Sequence, residues 1–288
     1  MAASPEINNM ALFCDFENVA LGVRDAKYAK FDIARVLERL LLKGSIVVKK
    51  AYCDWDRYKE FKGAMHEASF ELIEIPHVRM SGKNSADIRM VVDALDLCYT
   101  KAHVDTFVII SGDSDFSPLV SKLRENNKTV IGVGVKNSTS DLLIANCDEF
   151  IFYDDLVREQ EAKKTPAIRK TPPKRVTARG VAKGGGLTVP DDPAAPDENP
   201  VNGKQQEAFN LVVETIEAMI AEGGEDKKLW PSTVKQTIKR RKPEFNESYY
   251  GYKTFTTLLE DAARYQMLLL DRDEKTGQYL IHLPPGVR

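Results

Sequence analysis

The chain has 288 residues, 43% of them hydrophobic and 29% charged, with a formal net charge of −2. That balance belongs to a soluble globular protein with room for two ordinary domains. No apolar stretch approaches the ~20 residues that span a bilayer, and the N-terminus MAASPEINN lacks the charged-then-apolar pattern of a secretory signal. An integral or exported protein is thereby excluded by any visible signal, and a cytoplasmic one is expected. Cys14, Cys53, Cys98 and Cys147 form no CxxC pair and read as reduced thiols filling the core.

From the N-terminus, MALFCD (10–15) reads as a short buried strand, FDIARVLERLLLKG (31–44) as a helix ended by Gly, and SIVVKKAYCD (45–54) as a second strand. The alternation continues through helix DRYKEFKGAMHEA, strand FELIEIP, helix NSADIRMVVDALDLCYTKA and strand DTFVIIS. Helix SPLVSKLREN, strand KTVIGVGV, helix STSDLLIANC and strand EFIFYD complete it. Strands separated by helices of this length predict an α/β fold, a mainly parallel sheet with helices on both faces.

Residues 161–204 differ in kind. They are rich in Pro, Gly and Lys, poor in large apolar side chains, and basic, whereas the segments on either side lean acidic. Such a stretch buries too little to offset the entropy of ordering, so it reads as a flexible linker whose cations could track phosphates. From Gln205 the pattern returns: an amphipathic helix, a second with Pro231 near its start, a third over YKTFTTLLEDAARYQML, and LLLDRDEKTGQYLIHL as two strands around a turn. Three helices and a hairpin make a small winged-helix pattern. Its second helix carries Lys235, Lys239, Arg240 and Arg241, a plausible phosphate-contacting face.

In open α/β sheets the functional crevice lies beyond the carboxyl ends of the strands. Asp15 ends the first strand and Asp113 follows the strand DTFVIIS, so both carboxylates emerge at that edge. Asp87 joins them from the first turn of a helix. Carboxylates brought together repel one another and raise each other's pKa unless a cation neutralises them. Oxygen ligands suit Mg²⁺ or Mn²⁺; Zn²⁺ would ask for His and Cys at a spacing this chain does not have. Bland readings stand beside these. Asp115 suits the N-cap of the helix starting near Ser117, Asp15 a turn, and Asp87 a helix-dipole acid. Asp93 lies about 120° round the helix from Asp87 and is a second-tier candidate. Ser111 and Ser114 have no His or GxSxG elbow nearby and orient ligands or fill turns. Lys83 and Arg89 flank Asp87 and could reach a phosphate. GVGVKNST (132–139) lacks the phosphate-cradling glycine spacings, and GGG (184–186) has no strand before it.

Asp15-Phe16-Glu17-Asn18 after a strand, Lys83 through Asp87 to Asp93, and Ser111-Gly112-Asp113-Ser114-Asp115-Phe116 together resemble the NYN domain, a PIN-like nuclease fold, in its LabA-like subgroup. The resemblance covers about residues 8–157. It implies a four-carboxylate type of site that binds Mg²⁺ or Mn²⁺ and hydrolyses RNA phosphodiesters. Asp15, Asp87 and Asp113 match the core catalytic ligands, Asp115 a further metal ligand, and Asn18 a supporting residue; Asp93 and Ser111 are also assigned supporting places. Residues 205–285 resemble an OST-HTH (LOTUS) domain, which implies RNA binding, with 158–204 as the linker. The expected partner is single-stranded RNA, with a protein partner for the C-terminal part as a further option. A non-catalytic regulator that keeps the acids, and a nuclease acting on DNA, are the rival readings. Nothing in the sequence fixes the oligomeric state.

Overall fold

The computed structural model describes residues 8–75, 85–164, 202–223, 228–273 and 277–284. Its first part is a six-stranded, all-parallel sheet in the order β3-β2-β1-β4-β5-β6, formed by β1 (Asn9–Asp15), β2 (Ser45–Cys53), β3 (Glu71–Glu74), β4 (Thr106–Ile110), β5 (Thr129–Gly134) and β6 (Glu149–Phe152). Among the described residues seven α-helices connect or follow them: α1 (Phe16–Asp25), α2 (Ile33–Leu41), α3 (Lys59–Glu67), α4 (Ser85–Thr100), α5 (Ser117–Glu125), α6 (Asp141–Asn146) and α7 (Tyr153–Lys164).

The two-residue period of a strand divides the core between two layers. Met10, Leu12 and Cys14 of β1 pack with Phe16, Val19 and Val23 of α1, Val36 and Leu40 of α2, and Leu156 of α7. Ala11 and Phe13 pack on the opposite face with Met90 and Ala94 of α4, Leu119 and Leu123 of α5, and Leu143 of α6. Both faces of β1 are therefore dry, which is why MALFC is an unbroken apolar run rather than an alternating one. All four cysteines are buried and free.

Two helices were not anticipated. α1 begins immediately after β1, with Asp15 as its N-cap; its Gly22 packs closely on Val135 and Ser138, where a Cβ would sit 3.2 Å from Val135 Cβ and would turn the Ser138 hydroxyl aside. α7 runs to Lys164, so the first residues assigned to the linker continue a helix that buries Leu156 and Val157 on the sheet. Of the remaining linker, residues 165–201 lie outside the described residues, as does Lys83, while its last two residues, Gly203 and Lys204, already belong to the next helix.

The second part comprises α8 (Gly203–Gly223), α9 (Pro231–Arg241), α10 (Phe255–Arg264) and the antiparallel pair β7 (Leu269–Arg272) and β8 (Tyr279–His282). It closes its own core of Phe209, Val212, Ile216, Val234, Ile238, Leu258, Leu259 and Ile281. Leu229 bridges to Ile281 and ties the segment before α9 to the ribbon.

Candidate acidic site at the strand switch point

After β3 the chain returns to the middle of the sheet and builds outward the other way, so β1 and β4 flank the point where strand order reverses. Loops leaving neighbouring strands in opposite directions open a crevice there. Asp15 is the last residue of β1, and Ser111-Gly112-Asp113 follows β4 directly.

The Asp15 carboxylate is nearly enclosed, with the residue 8% exposed. Its Oδ2 accepts the Ser111 hydroxyl at 2.9 Å, and its Oδ1 accepts the Asn18 amide at 3.4 Å. Ser111 Oγ in turn accepts the Asp113 amide at 3.2 Å, and Asp113 Oδ1 accepts the Asp115 amide at 2.9 Å. Asn18 Oδ1 accepts the Gly112 amide at 2.8 Å, which pins the first turn of α1 to the turn after β4. Gly112 has no room for a side chain: a Cβ would lie 2.3 Å from the Ser138 carbonyl oxygen. The acidic turn is thus fixed on one side by α1 and on the other by the segment leading into α6, where the Ser140 amide donates to Gly112 O at 2.9 Å.

Electrostatics link the acids. Burial pushes the Asp15 carboxyl up to about 7, aided by the charges of Asp87 and Asp113 and opposed by the Ser111 and Asn18 hydrogen bonds. Burial likewise pushes Asp87 up to about 6, aided by Asp113, Asp115 and Glu17. Asp87 sits half-buried in the first turn of α4. Asp15, Asp87, Asp113 and Asp115 therefore share one field, and among the described residues Arg57 brings a cation to its rim by donating to Glu17 at 3.0 Å. Among the described residues, no three acids, cysteines or histidines stand close enough to grip one ion as a group. The oxygen-only donors and their unrelieved repulsion suit a hard divalent cation, and gripping one would require the side chains to draw inward.

Other sequence candidates fall elsewhere. Asp93 accepts the Tyr52 hydroxyl at 2.9 Å, Arg89 Nε at 3.0 Å and Lys50 Nζ at 3.4 Å, so it belongs to an ion-pair network with cations of its own. Arg89 is committed to that network. Asp115 is exposed and does not cap α5: Phe116 precedes that helix without a side-chain cap, and Asp113 caps the 3₁₀ turn Ser114–Phe116. In α9, Lys235 pairs with Glu247, Lys239 with Glu149 and Arg241 with Glu214. Arg57 gains importance that the sequence did not give it. Glu17 stood in the first acidic motif, but its effect on Asp87 depends on the folding back of α4.

The NYN domain family model matches residues 9–154. The chain is 26% identical over 150 residues to "Meiosis regulator and mRNA stability factor 1" of Xenopus tropicalis, covering 52% of this chain and 9% of that protein. It is 28% identical over 141 residues to an uncharacterized protein of Methanocaldococcus jannaschii, covering 48% of this chain and 55% of that one. The chain thus spans less than a tenth of the frog protein and about half of the archaeal one. A solved structure of a protein of unknown function from Vibrio parahaemolyticus aligns at TM-score 0.47 and 28% identity, over 53% of this chain and 97% of that one. With the model spanning half of its length, from β1 to the start of α7, the chain belongs to the NYN domain family.

Proposed function

We propose that the protein is a metal-dependent endoribonuclease whose centre is the acidic crevice between β1 and β4. The observation that carries this reading is the gathering of Asp15, Asp113 and Asp115 at the ends of β1 and β4, beside Asp87 from α4, close enough that Asp113 and Asp115 help to raise the Asp87 carboxyl and Asp87 and Asp113 that of Asp15, in a family of PIN-like nuclease fold. Asp15, Asp87 and Asp113 would hold Mg²⁺ or Mn²⁺, with Asp115 at the exposed rim. A carboxylate-held divalent cation supplies charge stabilisation to a phosphodiester and lowers the pKa of a bound water. The protein's own part is positional. Ser111 keeps the Asp15 carboxylate oriented, Asn18 locks the Gly112 amide, and the Asp113 cap fixes the turn that presents Asp115. No protein nucleophile is needed.

Single-stranded RNA is the proposed substrate, and an RNA-binding role for the OST-HTH-like C-terminal part belongs to the same proposal. The rival reading is a regulator that keeps the acids and binds RNA or protein without cutting. Incubation of the full chain with labelled single-stranded RNA and DNA, in Mn²⁺, Mg²⁺ or chelator, separates the readings. RNA cleavage that chelator stops supports the nuclease; cleavage of DNA alone redirects it; cleavage of neither favours the regulator.

A further inference from the structure

The sheet ends at β6, whose outward-facing amides would be an unpaired row, and such edges in folded proteins are covered or blunted. Here the cover is the C-terminal part of the same chain. The Phe150 amide donates to the Pro243 carbonyl at 3.0 Å, just past the end of α9. Beside it, the Glu149 carboxylate receives Lys239 Nζ at 2.8 Å from α9 and Lys43 Nζ at 2.8 and 2.9 Å from the residues after α2. Burial works to raise the Glu149 carboxyl, but Lys239 and Lys43 outweigh it and leave it below its usual range. Further along, Ser248 Oγ donates to Glu159 at 2.7 Å and Asn246 Nδ2 to Asp155 at 3.4 Å. The Tyr249 ring holds Lys136 Nζ 4.1 Å from its centroid, with the Arg158 guanidinium at 5.4 Å.

These contacts divide the cations of α9. Val234 and Ile238 face the helix's own core. Lys235 and Lys239, one turn apart, both line the cavity of about 260 Å³ between the two parts. Ser232, Gln236 and Arg240, again one turn apart, are exposed. We propose that residues 202–284 are a module seated on the β6 edge, with Glu149 as the central acid of the seat. Lys239 serves that seat and does not contact nucleic acid; any contact that α9 makes with RNA falls to the outward face bearing Arg240. The RNA clause rests on the nuclease reading above; the seat does not.

Hydrogen exchange on the full chain reads the Phe150 amide directly. It is protected in the wild type, and two variants each accelerate its exchange ~10-fold or more: Glu149→Gln by leaving the partly buried Lys239 and Lys43 without their acid, and the apolar, similarly long Lys239→Met by removing the tie from α9 while Lys43 keeps Glu149 paired. The Val108 amide inside the sheet stays protected, which shows that the variants have folded. Free exchange of Phe150 in the wild type, or unchanged exchange in both variants, overturns the seat. Affinity for a labelled single-stranded RNA, measured against salt, then tests the division of labour. Lys239→Met keeps the wild-type slope and Arg240→Ala flattens it. A flattened slope in Lys239→Met with Phe150 still protected overturns the assignment of Lys239. A full chain without RNA affinity sinks the nuclease reading while the exchange rates still decide the seat.

Discussion

Ser111 and Asp15 are 96 residues apart in the chain, yet the hydroxyl of one lies 2.9 Å from the carboxylate of the other, across the boundary between β1 and β4. The contact joins the two strand ends at which the sheet reverses its order, and Ser111 also receives the Asp113 amide. One buried hydroxyl thus orients the enclosed acid and fixes the turn that carries the half-buried Asp113 and the exposed Asp115. Ser111→Ala should cost about 1–3 kcal/mol of stability, because it strands a buried acceptor and a part-buried amide. It should also slow RNA cleavage by ~10–100-fold, the usual loss when a residue that positions a metal ligand is removed. Parallel measurement of melting temperature and kcat/KM checks both; full activity would remove Ser111 from the site.

Asp113→Asn separates charge from shape. The asparagine oxygen can still accept the Asp115 amide that Asp113 Oδ1 accepts now, so stability should change by no more than about 0.5 kcal/mol. The negative charge is lost, and with it the hold on a cation, so hydrolysis should fall to background. Turnover like the wild type's would show that Asp113 holds no cation; a collapsed melting temperature would make it a structural residue.

Metal should act as a stabiliser. A cation that binds only the folded chain adds about 2.7 kcal/mol at a hundred times its dissociation constant. Calorimetric titration with Mn²⁺ should saturate, and the melting temperature should rise with it. A flat titration would count against convergence of Asp15, Asp87 and Asp113.

The metal-free protein carries its own signature. Asp15 and Asp87 have an ordinary value of 3.8 and are raised in the fold to about 7 and about 6. Between those limits the folded chain binds more protons than the unfolded one, so stability declines as pH rises through the window and levels off above it. Glu149, lowered by its lysines, acts the other way, but only below its ordinary 4.5. In chelator, melting temperature should therefore fall from pH 5 to pH 7.5, and saturating Mn²⁺ should remove the part of the fall due to Asp15 and Asp87, leaving only what Asp155, raised by burial away from the site, contributes. A rise across that window in chelator would mean that the acids are not mutually strained.

What was legible in the sequence was local. An apolar run that ends in Asp marks a buried strand delivering a carboxylate to the sheet edge, and this located Asp15 and Asp113. A helix-opening acid located Asp87. The strand reversal that sets β1 beside β4 is a property of six strands together, so the Ser111–Asp15 contact could not be read from either motif. The same holds for Asp93. Its helix position excluded it from facing with Asp87, but its partners Tyr52 and Lys50 come from a strand some 40 positions away in the chain. The cations of α9 looked alike as a list and differ only by which side of the helix meets Glu149.

Truncation after Lys164 tests both parts together. It removes the basic segment and α9, so RNA should bind more weakly at low salt and with a shallower salt slope, since fewer counterions are released. It also uncovers the Phe150 amide and leaves Glu149 with Lys43 alone. An exposed parallel edge strand is a template for pairing with another chain, so the truncated protein should self-associate in a concentration-dependent way where the full chain does not share that edge. Sedimentation velocity at several concentrations, alongside cleavage at saturating RNA, reads both effects. Preserved chemistry with new self-association is the expected outcome. A monomeric truncation with the full chain's affinity and salt slope would mean that residues 165–288 neither cover the sheet edge nor hold the RNA.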